Sequence, residues 1–352
     1  MPCTGARQHL IHLLDEIWRG VHRVRIQDYI RDQPDVIAAA LRAADTAPAF
    51  SLAGAVLIGS GSSLNALSVV AETLPSLARP PVVGPSAYLA EDYGARPALI
   101  LSQSGASTTS VAAAERALGA GGPLLIVTCE ADSPLARLPA SRLVLCIGGE
   151  PIGPKTKGFT ATLAAVLGVA ARANGAYLPE FSRARFAALI EAAEGAAEEF
   201  AAKLDHVDNV VIAGNGRFLG IALEASLKVA EITGFATAAF TFEELLHGRL
   251  HGVGPESLVV MIVAATDERH VAETTARVMA ERGVQVRILN LTKTSTSFDW
   301  MQIRAPAAPL DALAAIAPFQ WLATHLALRR SMEPEAMRYP GLSKALSIKL
   351  PA

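Results

Sequence analysis

Ala98-Leu99-Ile100-Leu101-Ser102-Gln103-Ser104-Gly105-Ala106-Ser107-Thr108-Thr109 is the stretch that decides the architecture. Four apolar residues run into a hydroxyl-rich turn carrying a glycine, and alanine-rich sequence of helical character follows. An apolar run this short, bounded by turn residues, reads as a buried strand. The unit recurs on either side. Ala55-Val56-Leu57-Ile58 ends in Gly59-Ser60-Gly61-Ser62-Ser63, while Pro123-Leu124-Leu125-Ile126-Val127 and Leu143-Val144-Leu145-Cys146-Ile147 follow after alanine-rich stretches. Apolar strands alternating with helices predict a parallel sheet covered on both faces, an α/β fold.

The second half repeats the design. Asn209-Val210-Val211-Ile212-Ala213 runs into Gly214-Asn215-Gly216 and then a long helix through Glu224, Lys228 and Glu231, with strands at 258–263 and 284–289. Two strand-Gly-x-Gly-helix starts half a chain apart predict a duplicated α/β domain. Residues 174–205, with Glu191, Glu194 and Glu198 on a helix, form the expected bridge. A late helix over 317–330 leads into a polar tail. The opening segment reads helical from the spacing of Leu10, Leu13, Leu14 and Ile17, and a second helical run follows Asp32-Gln33-Pro34, proline suiting a helix start.

At 352 residues, 51% hydrophobic and 18% charged, the chain has material for two cores and is not a disordered one. A net charge of -2 leaves no basic field to hold a nucleic-acid backbone. Cys3, Cys129 and Cys146 are too scattered for a disulfide framework or a zinc site and read as thiols of a reducing compartment. The longest apolar run, 160–171, is broken by Gly168 and closed by Arg172, and Asp15 and Glu16 interrupt the amino-terminal one. The expectation is a soluble cytoplasmic protein with neither a nucleic-acid nor a membrane partner.

Four constellations could carry chemistry. Residues 101–109 lie just past a strand's carboxyl end, where open α/β sheets place ligands, and offer N–H groups, hydroxyls and a helix dipole to an anion such as phosphate. The plain alternative is a Ser/Thr helix cap, and the density of hydroxyls favours the anion. Neither glycine turn makes a dinucleotide fingerprint, because Leu64 and Leu219 stand where the third glycine belongs. Glu224, Lys228 and Glu231 share one helix face. An isolated ion pair is the commoner meaning, but apolar neighbours on most sides point these charges at a cleft. His247, in Glu243-Glu244-Leu245-Leu246-His247-Gly248, is a capping residue or a proton donor, and spacing does not separate the two. With only His251 nearby, no metal site is predicted. Lys344, in Gly341-Leu342-Ser343-Lys344-Ala345, reads by composition as a surface lysine.

Together these motifs resemble the tandem sugar-isomerase (SIS) domain family, above all the isomerase half of glucosamine-6-phosphate synthase. Stand-alone amino-sugar-6-phosphate deaminases and fructosamine-6-phosphate deglycases are also similar. The likeness rests on Ser102-Gln103-Ser104-Gly105, on Glu150 with Thr156-Lys157-Gly158-Phe159-Thr160, on residues 223–231, and on Glu244-Leu245-Leu246-His247-Gly248. It implies two flavodoxin-like SIS domains, 47–185 and 200–330, after a helical segment 1–46 and before a tail 331–352 that closes the site. By resemblance Ser62, Ser63, Ser102, Gln103, Ser104 and Ser107 hold the phosphate of a 6-phosphosugar, and Glu231 moves a proton between C1 and C2. His247, supplied by the second subunit of a homodimer, assists ring opening. Lys344 forms a Schiff base with the open-chain ketose, and Lys228 is auxiliary. Neither metal nor organic cofactor is implied.

The expected activity is therefore phosphosugar isomerase or amino-sugar-6-phosphate deaminase. A fructosamine-6-phosphate deglycase and a non-catalytic sugar-phosphate-binding regulator are the alternatives. The synthase's glutaminase domain has no counterpart here, so glutaminase activity is not expected. Ala236-Thr237-Ala238-Ala239 replaces the family's His-Ala-Glu-Ala, Arg249 stands in place of a proline, and Lys155 in place of a small residue. Tyr339-Pro340-Gly341-Leu342 replaces Pro-Arg-Asn-Leu. Arg249 or Lys155 could read a second acidic group, or either is a surface substitution.

Overall fold

The computed structural model describes residues 25–73, 82–84, 95–173, 175, 177–204 and 206–350. The helical spacing at Leu10, Leu13, Leu14 and Ile17, the residues Cys3, Asp15 and Glu16, and the ends of the expected bridge at Asn174 and Asp205 lie outside them.

Two five-stranded sheets form, each wholly parallel. The first contains β1 (Val56–Ile58), β2 (Val82–Val83), β3 (Ala98–Leu101), β4 (Leu124–Thr128) and β5 (Ser141–Val144), in the order β2-β1-β3-β4-β5. The second contains β6 (Asn209–Ala213), β7 (Ala236–Phe240), β8 (Ser257–Val263), β9 (Gln285–Asn290) and β10 (Asp299–Gln302), in the order β7-β6-β8-β9-β10. The orders are the same in both halves, so the duplication read from the glycine turns is a duplication of topology.

The inner strands β1, β3, β4 and β8 are buried along their whole length and read as unbroken apolar runs. Their residues alternate between faces. Leu57, Leu99 and Leu101 join a core cluster that continues into the second half through Val210 and Ile212. Val56, Ile58, Ala98 and Ile100 point the other way into a separate cluster. Sequence reading missed β2, β7 and β10. The last two are edge strands of mixed exposure, with no apolar run to betray them. The expected strand at 143–147 is corrected to Ser141–Val144, because the chain turns at Ile147, whose N–H bonds back to the Leu145 carbonyl.

Helices follow as α1 (Ile26–Arg31), α2 (Gln33–Asp45), α3 (Ser62–Thr73), α4 (Thr108–Gly119), α5 (Lys157–Ala173) and α6 (Arg183–Ala201). After these come α7 (Arg217–Thr233), α8 (Phe242–Leu246), α9 (Thr266–Ala280), α10 (Asp311–Arg329) and α11 (Leu342–Ala345). The apolar stretch 160–171 belongs to α5, buried between α2 and α3. The late helix is corrected to start at Asp311 rather than 317. Pro318 lies inside it, tolerated in a helix buried on nearly every side. Among the described residues no helix is long and apolar enough to cross a membrane.

The two halves meet where α3 crosses α7. A β-carbon at Gly220 would stand 2.7 Å from Val69 Cγ2 and 2.8 Å from the Asn65 carbonyl oxygen, so only glycine permits the helices this close. That approach brings the polar residues of α3 onto the charged face of α7.

Candidate active site

In a 2-1-3-4-5 sheet the connections leave in opposite directions from β1 and β3, opening a crevice beyond their carboxyl ends. Residues 59–63 and 102–107 flank that crevice in the first half. The second loop is rigidly formed. Gly105 has φ +57°, and a β-carbon there would overlap Ser133 Oγ and stand 2.9 Å from Thr128 Oγ1. The Gln103 carbonyl accepts from Cys129 N (3.0 Å) and Thr128 Oγ1 (3.2 Å). Ser107 occupies the N-cap of α4 without a side-chain capping bond, and the first turn holds no acidic residue. Ser63, Gln103, Ser104 and Ser107 are partly accessible, whereas Ser102 is buried.

The equivalent crevice of the second half is filled from within. Glu268 accepts from Ala264 N (2.9 Å), Ala265 N (3.0 Å) and Asn215 Nδ2 (3.0 Å), so a carboxylate of the protein occupies the anion position at the start of α9. In the first half the opening turn of α4 carries no acidic residue, and Glu224 reaches the start of α3 only through the Ser62 hydroxyl.

Beneath the first-half crevice lies the charged face of α7. Glu224 accepts from Ser62 Oγ (2.9 Å) and Asn65 Nδ2 (2.9 Å), and Lys228 Nζ is 3.6 Å from its Oε1. Lys228 also donates to Glu231. Glu224 and Lys228 are fully buried, so two of the three charges expected to face a cleft sit in the α3–α7 contact instead. Burial pushes the Glu224 carboxyl up to about 7, against the opposing effects of Lys228, Asn65 and Ser62. Burial would lower the Lys228 pKa, but Glu224 and Glu231 outweigh it and hold the ammonium above its ordinary value. Ser62, whose hydroxyl is engaged by Glu224, supports this buried network. Asn65 was missed; its position three residues after Ser62, on the same helix face, was the available signal.

Glu231 opens into a cavity of about 570 Å³ whose other wall is the tail, residues 336–343. The tail then crosses to the loop 102–107 and the start of α4. Thr108 N and Oγ1 donate to the carbonyls of Ile348 (3.2 Å) and Ser347 (2.9 Å), Leu350 N donates to the Ala106 carbonyl (2.8 Å), and Lys349 pairs across from Ser107. Lys344 lies exposed on α11, adjoining the cavity-lining Ser343. His247 is at the surface, its side chain 72% exposed and 2.9 Å from Glu243, and is not brought to the cavity within the chain. Arg249 stacks over Phe240 at 4.9 Å, whereas Lys155 turns inward onto the carbonyls of Glu150 and Ile152. Glu150 caps α5, accepting from Thr156 N (2.6 Å), Thr156 Oγ1 (2.9 Å), Lys157 N (3.2 Å) and Gly158 N (3.0 Å). Its Oε2 also receives Gln103 Nε2 at 3.4 Å. Among the described residues no group of three His, Cys, Asp or Glu side chains could hold a metal ion.

The chain belongs to the SIS domain family, whose profile matches residues 54–172 and 203–305, one segment around each sheet. Over 346 residues it is 28% identical to a glutamine–fructose-6-phosphate aminotransferase (isomerizing) from Pyrobaculum aerophilum, covering 91% of this chain and 57% of the relative. The chain thus spans a little over half the length of that relative. Among solved structures, the C-terminal domain of glucosamine-fructose-6-phosphate aminotransferase from Francisella tularensis superposes with a TM-score of 0.76 at 18% identity, covering 89% of this chain and 98% of that one. Glucosamine-6-phosphate deaminase from Thermotoga maritima gives a TM-score of 0.73 at 20% identity, covering 89% of this chain and 96% of that one. At these identities the likeness is one of fold.

Proposed function

We propose that this chain is an isomerase-type enzyme acting on an open-chain 6-phosphosugar, and that it releases ammonia when the substrate carries an amine at C2. One observation carries the reading. A single tail segment walls the cavity holding Glu231 and, one short helix later, pairs with the hydroxyl-rich loop at the start of α4.

Ser63, Ser102, Gln103, Ser104 and Ser107 bind the phosphate, fixing the reacting end through binding energy remote from it. Glu231 takes the proton from C2 of the aldose and returns it at C1. Lys228, buried and bonded to Glu231, is a positioning residue that holds the carboxylate in place. With an amine at C2 the transfer leaves an imine, which water hydrolyses to the ketose phosphate and ammonia. With a ketose substrate, the Lys344 amine condenses with the C2 carbonyl and expels water, and the iminium acidifies the C1 proton. A second copy supplies His247 for ring opening. Exposed Leu246 beside it, and exposed Tyr339, Leu346 and Ile348 on the tail, support burial of these surfaces in a homodimer. Relatives named for fructose-6-phosphate and glucosamine-6-phosphate chemistry support an amino-sugar phosphate as substrate.

The test measures ammonia and ketose phosphate from glucosamine-6-phosphate, galactosamine-6-phosphate and a fructosamine-6-phosphate. Mole-for-mole release from an aminohexose phosphate is expected, falling roughly 100- to 10,000-fold in Glu231→Gln with binding retained. Turnover that survives Glu231→Gln refutes the assigned base. Binding of every sugar with turnover of none makes the protein a sugar-phosphate sensor.

A further inference from the structure

The carboxyl-terminal tail brings a cation to the loop proposed to hold the phosphate, and that loop has none of its own. Residues 102–109 contain neither lysine nor arginine, and the first basic residue of α4 is Arg116, in its last turn. A phosphate monoester carries a charge of about -1.5 to -2 at neutral pH. The lysines buried nearby are engaged elsewhere. Lys155 donates to the carbonyls of Glu150 and Ile152, Lys157 pairs with Asp32, and Lys228 pairs with Glu224 and Glu231.

Lys349 is placed differently. Thr108 N donates to the Ile348 carbonyl at 3.2 Å and Leu350 N to the Ala106 carbonyl at 2.8 Å, so Ser107 and Lys349 face each other as a non-hydrogen-bonded antiparallel pair. In such a pair the Cα atoms stand about 4.5 Å apart and both side chains leave from the same face, at their closest approach along the ladder. Lys349 therefore projects beside the Ser107 hydroxyl, which makes no capping bond and is partly accessible at the start of α4. Lys349 is exposed, and among the described residues no carboxylate lies within ion-pair distance of it. Its charge is also felt at the far end of the loop. Burial depresses the Lys155 pKa, and Lys349 adds to that depression. Lys155 is held on the carbonyl of Glu150, whose carboxylate receives Gln103 Nε2 at 3.4 Å.

We infer that Lys349 is a specificity-determining residue whose ammonium pairs with the dianionic phosphate of the substrate beside Ser107, so that the anion itself seats the tail. The inference rests on the phosphosugar reading above and adds the positive charge that the loop lacks. The same tail walls the cavity holding Glu231 with residues 336–343. A ligand that engages Lys349 thus holds that wall in place, and binding at the phosphate is felt at the reacting end.

The experiment titrates the full chain with glucitol-6-phosphate, an open-chain phosphate with no carbonyl to react. Calorimetry gives the affinity, and phosphorus NMR across pH gives the second ionisation of the bound phosphate, which lies at about 6 in a free ester. A neighbouring ammonium favours the dianion and so lowers that pKa. Lys349→Met leaves the pairing of the tail intact, because its hydrogen bonds are made by the backbone of Ile348 and Leu350. The substitution should weaken binding by roughly ten- to a hundredfold, the range of a charge-assisted hydrogen bond. It should also raise the second ionisation of the bound phosphate by about one unit, the counterpart of a tenfold preference for the dianion. Lys349→Arg keeps the charge and should restore both. An affinity unchanged in Lys349→Met overturns the inference, as does a loss of affinity that leaves the ionisation where it was or that arginine does not rescue; the phosphosugar reading then stands. Failure of the wild type to bind glucitol-6-phosphate overturns both.

Discussion

Replacing Glu224 by glutamine tests the buried network under the site. Glu224 is fully buried, and its carboxyl titrates at about 7 against an ordinary 4.5. The folded chain therefore binds a proton more tightly than the unfolded one. Between these two values the native state holds the proton and the unfolded state does not, so stability falls as pH rises through the window. At about 1.4 kcal/mol per pH unit, the full loss between pH 4.5 and 7 is about 3 kcal/mol. Glutamine does not ionise; its one carbonyl oxygen can accept from Asn65 while its amide donates to the Ser62 hydroxyl, and the buried Lys228 stays charged throughout. Urea unfolding of both proteins from pH 5 to pH 8, followed as the difference between them at each pH, isolates this one group. The variant should gain on the wild type by about 2–3 kcal/mol over that range. A difference that does not change with pH refutes the claim that Glu224 holds a proton in the folded state.

Two further outcomes concern the proposed anion site and its cover. Gly105→Ala places a β-carbon against Ser133 and Thr128 at a φ of +57°, and should weaken phosphosugar binding tenfold or more, on the order of 1.4 kcal/mol. Titration with glucosamine-6-phosphate measures this, and an unchanged affinity would remove the loop from the phosphate site. Deleting residues 346–352 removes the pairing of the tail with Ala106 and Thr108. It should raise the dissociation constant for the same ligand while leaving the thermal midpoint within about 2 °C, since those side chains add little to the core; a large fall in the midpoint would make the tail a structural element instead.

Legibility followed burial. β3 and β8 were evident because a strand covered on both faces must be apolar throughout, and any chain that builds one carries that run. β7 and β10 were not, because an edge strand satisfies the ladder with backbone alone and leaves its side chains free to vary. The loop 102–107 stood out as a candidate anion site because strand, glycine and hydroxyls are contiguous. The filled crevice of the second half did not, because its occupant Glu268 lies 53 residues from its partner Asn215.

Local chemistry in the chain thus determined the α/β class, the duplication, the hydroxyl-rich loop and the helix carrying Glu224, Lys228 and Glu231, since each is set by neighbours a few residues apart. Tertiary structure decided what those charges do. Only the crossing at Gly220 brings Ser62 to Glu224 across 162 residues and puts Lys228 out of water, leaving Glu231 in the cavity. Only the return of the tail brings Ser347 to Thr108 across 239 residues. Burial and the pairing of buried charges depend on which surfaces meet, and no spacing along the chain specifies that.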